Sequence, residues 1–470
     1  MHQAPAAGLP PAMQPLPRTD IYRAVWRWHF YAGLLVLPFL LLLAVTGALF
    51  LFQSELDQVF HHNLKHVTVA DATPMTPSAI VAQATAAHPG TVFKYVPPPA
   101  TDMSAEVSLQ TGHGEKLVVY VDPYTGRVLG DLPDRGTLSW TIRQLHSLKY
   151  FGDIASGLIE IAGGWTILLV LTGIYLWWPR GQRGGVVSVR GRPSRRVFWR
   201  DLHAVTGLVA GFFILFLAVT GMPWSVVWGA KVNQWANASN FGYPAGVRVT
   251  VPMSDEHVNH VAPTPWSMEQ ARMPISADHG GGPIGLDAAI ATFDRMGLAA
   301  GYAVNPPGGP TGVYTASVYP ADLSQQRVVH LDQYTGRPLI DMSYADYGPL
   351  GKSLEWGVNV HLGTEYGLAN KLVMLAVCAA IVLLCVSSAL MWWKRRPAGS
   401  LAIPAPPTDR KALRTVVAIL AIGGIVFPLV GISMLLMLVA DLFYLRSQAA
   451  AANASSYPLP VSTSSQRNSS

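Results

Sequence analysis

Two cysteines are all that the 470 residues contain, and both, Cys378 and Cys385, sit in one apolar run. They cannot staple separate outer segments, so a disulfide framework is excluded and they read as small apolar core residues. Charge is scarce as well: Asp, Glu, Lys and Arg together make up 13% of the chain, against 50% hydrophobic residues. That balance is too apolar for an ordinary soluble protein and fits a membrane protein with sizeable soluble parts. No Gly-x-Gly-x-x-Gly opens a helix after a strand, so flavin and nicotinamide are not expected in this chain. No nucleophile–base constellation or glycosidase-like carboxylate pair can be identified. The N-terminus lacks a short apolar core followed by a small-residue cleavage site, so the first apolar run reads as an uncleaved anchor.

Long apolar runs are what the chain does have, near 31–53, 158–178, 204–228, 369–393 and 414–445. Each of the first four is long enough to cross a hydrocarbon core of about 30 Å. The last holds Pro428 and Gly431. It reads as one long kinked span or a tight hairpin, and one span is the favoured reading. Acid is absent between Arg180 and Arg200, where seven arginines crowd the loop, and Lys394, Arg395, Arg396, Arg410, Lys411 and Arg414 follow the fourth span. Arg18, Arg23 and Arg27 precede the first. These flanks belong on the cytoplasmic side, and they account for much of the net charge of +6. No basic patch marks a soluble segment, so nucleic acid is not an expected partner.

The expected organisation is a disordered N-terminus over 1–20, spans over 21–54, 151–179, 201–228 and 367–394, and outer segments over 55–150 and 229–366. Loops at 180–200 and 395–412 are cytoplasmic, 413–446 is the fifth apolar segment, and 447–470 is a disordered Ser/Asn/Pro tail. In a Gram-negative inner membrane the outer segments are periplasmic.

Four histidines repeat across this plan. His29 is followed by Gly33 and by Ala44-Val45-Thr46-Gly47; His203 is followed, at the same offsets, by Gly207 and by Ala218-Val219-Thr220-Gly221. His146 precedes Gly152 and Trp177-Trp178, and His361 precedes Gly367 and Trp392-Trp393, again at equal offsets. The outer segments repeat too. Val119-Tyr-Val-Asp122-Pro-Tyr124-Thr125-Gly126-Arg127 matches Val329-His-Leu-Asp332-Gln-Tyr334-Thr335-Gly336-Arg337. Alternation predicts a strand, and Thr-Gly a hairpin turn with the aspartate as its cap. Helices are predicted before each strand set, over 77–87 and 286–296. The expected fold class is therefore a membrane α-helical bundle with two α+β outer domains, in a parallel repeat with a pseudo-two-fold axis along the membrane normal.

His29 and His203 start outward spans, whereas His146 and His361 precede inward ones. Opposite sides of a bilayer cannot share one iron, so the expected pairs are His29 with His203 and His146 with His361. Opposed imidazoles suit axial ligation of haem iron and leave no open position for oxygen. Two haems at two levels form an electron wire. Cys-x-x-Cys-His is absent, so covalent haem attachment is not indicated. Gly33 and Gly207 leave room beside a macrocycle or serve helix packing.

With Trp26-Arg27-Trp28-His29 and Asp201-Leu202-His203 leading outward spans, the Asp-x-Tyr-Thr-Gly-Arg hairpins, and Tyr175-Leu-Trp-Trp-Pro-Arg180 closing a span, the chain resembles the PepSY-associated transmembrane family from about Tyr22 to Arg446. The resemblance implies two PepSY-like domains and membrane electron transfer, since family members include inner-membrane ferrisiderophore reductases carrying two b-type haems. A ferric siderophore or other periplasmic iron chelate is the implied acceptor. The donor is a quinol or a cytoplasmic reductase. A copper or respiratory acceptor is a variant of this reading. The alternative class is a membrane-anchored PepSY module that binds or inhibits periplasmic partners without redox activity. The cluster of His61, His62 and His66 reads as a solvated juxtamembrane face rather than a metal site, and the loop holding His257, His260, Met268, Met273 and His279 lacks the fixed spacing that a soft-metal site such as copper would need.

Overall fold

The computed structural model describes residues 20–179, 184–238, 253–257, 272–277, 280–397, 402–407 and 410–455. Of the segments expected to be disordered, residues 1–19 and 456–470 lie outside the described residues, as do Arg180, Arg183, His260, Met268 and His279, whereas Asp20 and residues 447–455 are helical, which corrects the expectation there.

The chain opens with α1 (Asp20–Phe50), then α2 (Gln53–Phe60), α3 (His62–Lys65) and α4 (Pro77–Ala87). Strands β1 (Gly90–Val96), β2 (Ala105–Thr111), β3 (Lys116–Val121) and β4 (Val128–Pro133) follow, and α5 (Leu138–His146) leads to α6 (Asp153–Trp177). After the basic loop come α7 (Arg196–Gly221), α8 (Trp228–Ala238), β5 (Met253–His257), β6 (Arg272–Pro274) and α9 (Gly285–Arg295). Strands β7 (Ala303–Asn305), β8 (Val313–Val318), β9 (Arg327–Asp332) and β10 (Pro338–Ser343) precede α10 (Pro349–His361) and α11 (Gly367–Arg395). The described chain closes with α12 (Arg410–Val426) and α13 (Pro428–Ser455).

Among the described residues, α1, α6, α7, α11 and the first 20 residues of α13 are each long and apolar enough to cross a membrane. The first four form a ring in which α1 and α7 each pack against both α6 and α11. Small residues let the helices approach: Ala44 of α1, Ala210 of α7 and Cys378 and Cys385 of α11 meet in one buried cluster, as expected where lipid supplies no hydrophobic drive and close packing does. Both cysteines are free and buried, the core role read from sequence.

The favoured reading of 414–445 as one span is corrected. The run breaks at Phe427–Pro428 into α12 and α13. In a straight helix Gly424 and Gly431 would stand about 10 Å apart along the axis. Instead, a Cβ on Gly424 would meet the Gly431 backbone at 2.7 Å. The two helices therefore form a tight hairpin, with Pro428 starting the second because its missing N–H costs nothing at a first turn. Val430 and Met434 of α13 pack on Ala24, Trp28, Ala32 and Val36 of α1 and on Ala162 and Trp165 of α6. Gly164 has no room for a side chain beneath Val430.

Beyond one end of the bundle lies an antiparallel sheet of eight strands, ordered β10-β9-β8-β7-β1-β2-β3-β4. The two outer segments thus share one sheet, joined where Tyr95 of β1 pairs with Val304 of β7. Period-two alternation puts Val107, Leu109, Val119, Val121, Tyr314, Ala316, Val329 and Leu331 on one face. There they bury against Ile80 and Ala84 of α4 and Ala289, Ile290 and Phe293 of α9. Thr76 caps α4, with Pro77 behind it, and Asp287 of α9 accepts hydrogen bonds from the Ser78 backbone at 2.7 Å and hydroxyl at 2.5 Å. Both Asp-x-Tyr-Thr-Gly-Arg hairpins turn as expected. Asp122 accepts from the Tyr124 N–H at 2.9 Å, and Asp332 from that of Tyr334 at 2.9 Å. Gly126 and Gly336 take left-handed backbone, φ +72° and +68°, which a Cβ would strain.

Candidate functional site

His29 lies in α1 and His203 in α7, both toward the end of the bundle that carries the basic loops, whereas His146 ends α5 and His361 ends α10 at the sheet end. His29 and His203 are within Coulombic reach of each other, and so are His146 and His361. The two pairs sit at different depths. His146 meets α1 at Thr46, seventeen residues and about 25 Å of helix rise beyond His29. His361 meets α7 at Thr220, the same distance beyond His203.

What holds each ring is a hydroxyl. Nδ1 of His146 lies 2.9 Å from Thr46 Oγ1, and Nδ1 of His361 lies 2.8 Å from Thr220 Oγ1. Nδ1 of His29 lies 2.8 Å from Thr172 Oγ1 on α6, and Nδ1 of His203 lies 3.1 Å from Ser387 Oγ on α11. Each hydroxyl also donates its own hydrogen to a carbonyl of the preceding turn: Thr46 to Leu42 at 2.6 Å, Thr172 to Leu168 at 2.6 Å, Thr220 to Phe216 at 2.8 Å and Ser387 to Leu384 at 3.1 Å. A hydroxyl has one hydrogen. With that hydrogen spent on the carbonyl, the oxygen can only accept from the ring. Nδ1 therefore carries the proton in all four imidazoles, and His203 Nδ1 also faces the Leu384 carbonyl at 3.3 Å, which can only accept. The lone pair is left on Nε2, for which the described residues provide no hydrogen-bond partner.

Charge agrees with this tautomer at the sheet end. Burial pushes the His146 imidazole down to about 4. Burial and the neighbouring His146 push His361 down to about 3. Both are neutral at physiological pH and hold a free lone pair, as a metal ligand must.

The repeated glycines now have separate reasons. Gly152 and Gly367, each six residues after a sheet-end histidine, take φ +88° and +57°, and Leu148 and Gly363 between them and those histidines are also left-handed, φ +54° and +75°. These turns join α5 to α6 and α10 to α11, so that each histidine sits at a fixed corner. Gly47 and Gly221 lie against imidazole edges: a Cβ there would meet His146 Cε1 at 3.4 Å and His361 Cε1 at 3.8 Å. Gly33 faces open space, with no atom within 4 Å of an added Cβ, while Gly207 packs on Leu384. Helix packing, one of the two roles open at these positions, thus holds at Gly207.

Thr172 and Ser387 were not legible as partners. They stand at equal offsets from His146 and His361, but they differ in identity, and a hydroxyl in an apolar helix ordinarily bonds only its own backbone. Thr46 and Thr220 were visible inside the repeated Ala-Val-Thr-Gly without a role attached.

The family described as PepSY-associated TM region matches residues 26–395. The chain belongs to that family. No curated protein matches it in sequence. The PepSY-associated TM match takes in all four histidines and the whole sheet, and stops before the α12–α13 hairpin. His61, His62 and His66 do not converge on a metal position, and no group of three or more His, Cys, Asp or Glu among the described residues could hold a metal ion. His61 Nε2 instead accepts the Leu138 backbone N–H at 3.2 Å, and Asp57 accepts from Ser139 at 3.1 Å and 2.5 Å. These bonds fasten the start of α5, and so the helix that carries His146.

Removing a hydroxyl tests the positioning argument. Thr46→Val and Thr220→Val keep the side-chain shape but take away the acceptor for Nδ1–H. Loss of such a partner weakens metal binding about 10–100-fold. The expected result is a lower haem occupancy and a shifted midpoint potential at the sheet-end level alone, read by redox titration. Unchanged potentials in both variants would show that the hydroxyls do not orient ligands.

Proposed function

We propose that this chain is a b-type di-haem electron-transfer protein of a bacterial inner membrane, with the sheet in the periplasm and the basic loops in the cytoplasm. It reduces a ferric siderophore or similar ferric chelate. The observation that carries this reading is the set of four imidazoles at two depths, each with Nδ1 occupied and Nε2 free. His29 and His203 would hold one haem and His146 and His361 the other. The matching offsets support a duplicated half whose copies are related by a pseudo-two-fold axis along the membrane normal.

A haem at each level supplies a one-electron carrier when bound. The chain's own residues do the rest. Neutral imidazoles, one from each half at each level, would hold the two groups, and ligation of that kind suits electron transfer rather than oxygen activation. Thr46, Thr220, Thr172 and Ser387 fix ring orientation and raise ligand basicity through the Nδ1–H bond. The apolar walls of the bundle keep water away, which lowers the local dielectric and bears on potential. A ferric chelate accepts one electron, and the ferrous product is held more weakly by hard oxygen ligands. The donor is a quinol or a cytoplasmic reductase.

The acceptor is tested directly. Protein reduced with dithionite, freed of excess reductant and mixed anaerobically with ferric citrate should return to its oxidised spectrum, with one ferrous ion trapped per electron lost. Protein that stays reduced in the presence of every ferric chelate tried would reject the reductase assignment and leave electron transfer to another acceptor.

A further inference from the structure

The stacked pair of His62 and His66, next to Arg127, forms a cleft that the site above does not use. Their rings lie 4.6 Å apart with planes 26° from parallel. Near-parallel rings send their in-plane nitrogen lone pairs side by side rather than toward one point, which disfavours a shared metal ion. With Asn63 and Arg127 they line a cleft of about 420 Å³ against Val128 and Leu129. A second hollow of about 540 Å³ shares His66 and Arg127 and runs on past Thr68 to Thr125.

The walls are built. Leu64 packs on Gly130 of β4, where any Cβ would clash. Val67 N–H bonds the Asp102 carbonyl at 2.9 Å, and Ser104 N–H bonds that of Lys65 at 2.9 Å. Asp102 lies 3.7 Å from His66 Nδ1 and orients that ring from outside. Asp122 is occupied by the hydrogen bonds of its own turn. The guanidinium of Arg127 forms no hydrogen bond or ion pair among the described residues. The cleft therefore presents an arginine fork, two imidazoles and an amide, a donor set that matches carboxylate oxygens.

We propose that this cleft binds a multi-carboxylate metal chelate. The volume suits a ligand of that size. The place suits an electron acceptor: His61, beside His62, bonds the N-terminus of α5, and His146 ends that helix about 12 Å further along. The acceptor role rests on the proposed function; the binding does not.

The probe is gallium(III) citrate, a redox-inert stand-in for the ferric chelate, titrated calorimetrically into the full chain in lipid nanodiscs, with haem content read on the same sample. Arg127→Ala should weaken binding about 10–100-fold, the range for losing charge-assisted hydrogen bonds. Arg337→Ala, at the matching turn of the second segment, should leave binding unchanged. His62→Ala should weaken it less than Arg127→Ala. Equal binding by wild type and Arg127→Ala, or no binding by a haem-replete wild type, would overturn the proposal without touching the haem reading. Binding that disappears when phosphatidylglycerol is added to the nanodisc would reassign the cleft to a lipid headgroup. Retained gallium citrate binding in a haem-free chain would uphold the cleft and reject the haems.

Discussion

If the proposed haems are present, His29→Ala or His203→Ala should remove one and leave the other in place, and His146→Ala or His361→Ala should remove the second while sparing the first. The expected haem-to-protein ratio falls from two to one in each single variant, and each pair depletes its own spectral species. The basis is the separation of the two levels. About 25 Å of helix rise lies between His29 and the Thr46 that holds His146. Sites more than about 10 Å apart with no shared partner act independently. Each imidazole has its own hydroxyl, from Thr172, Ser387, Thr46 or Thr220, so loss of one ring does not disorder the next. Exogenous imidazole should stand in for the missing ring in part and restore the wild-type spectrum. If all four variants lose both species equally, the levels are not independent and the pairing is wrong.

The largest stability effect is expected at Arg27. This arginine is 3% exposed although it lies on a membrane helix. It forms a two-pronged pair with Asp441 of α13, with Nε to Oδ2 at 3.2 Å, and it also donates to the Pro404 carbonyl. Tyr31, one turn on, donates its hydroxyl to the same carboxylate. Arg27 and Tyr31 share one flank of α1, while His29 between them faces α6. With the packing of Val430 and Met434, this network fastens the hairpin to the helix that carries His29. Asp441→Ala strips the arginine of its counter-charge in a water-poor setting. Breaking a buried pair from one side costs about 3–5 kcal/mol. The melting temperature in detergent should drop by several degrees, and limited proteolysis should release the hairpin. The double change Arg27→Met with Asp441→Leu should recover most of the loss, because the penalty comes from the orphaned charge. An Asp441→Ala protein that melts with wild type would mean that the pair contributes nothing.

Apolar length made the membrane helices legible, because crossing a hydrocarbon core demands it. Turn chemistry did the same for the Asp122 and Asp332 hairpins, where an aspartate two residues before an N–H leaves few choices. Two features escaped. The joining of both strand sets through Tyr95 and Val304 uses backbone hydrogen bonds at strand edges, and those have no residue signature. The reversal at Pro428 escaped because hydropathy reports how apolar a run is and not whether it doubles back; only the Gly424–Gly431 contact settles that. The histidines stood out because the chain carries them at equal offsets. Their hydroxyl partners did not, since Thr172 and Ser387 share chemistry and not identity. His62 and His66, one helical turn apart, gave no hint that they stack.

Whether four Nδ1-protonated imidazoles present Nε2 to two irons is tested most directly by a haem-to-protein ratio, with electron paramagnetic resonance, on wild-type protein purified from haem-replete cells. Two haems per chain, both low-spin with two nitrogen axial ligands, are expected. A colourless protein, or one whose haem is high-spin and five-coordinate at both levels, would rule out paired imidazole ligation and leave a membrane-anchored sheet whose role is binding.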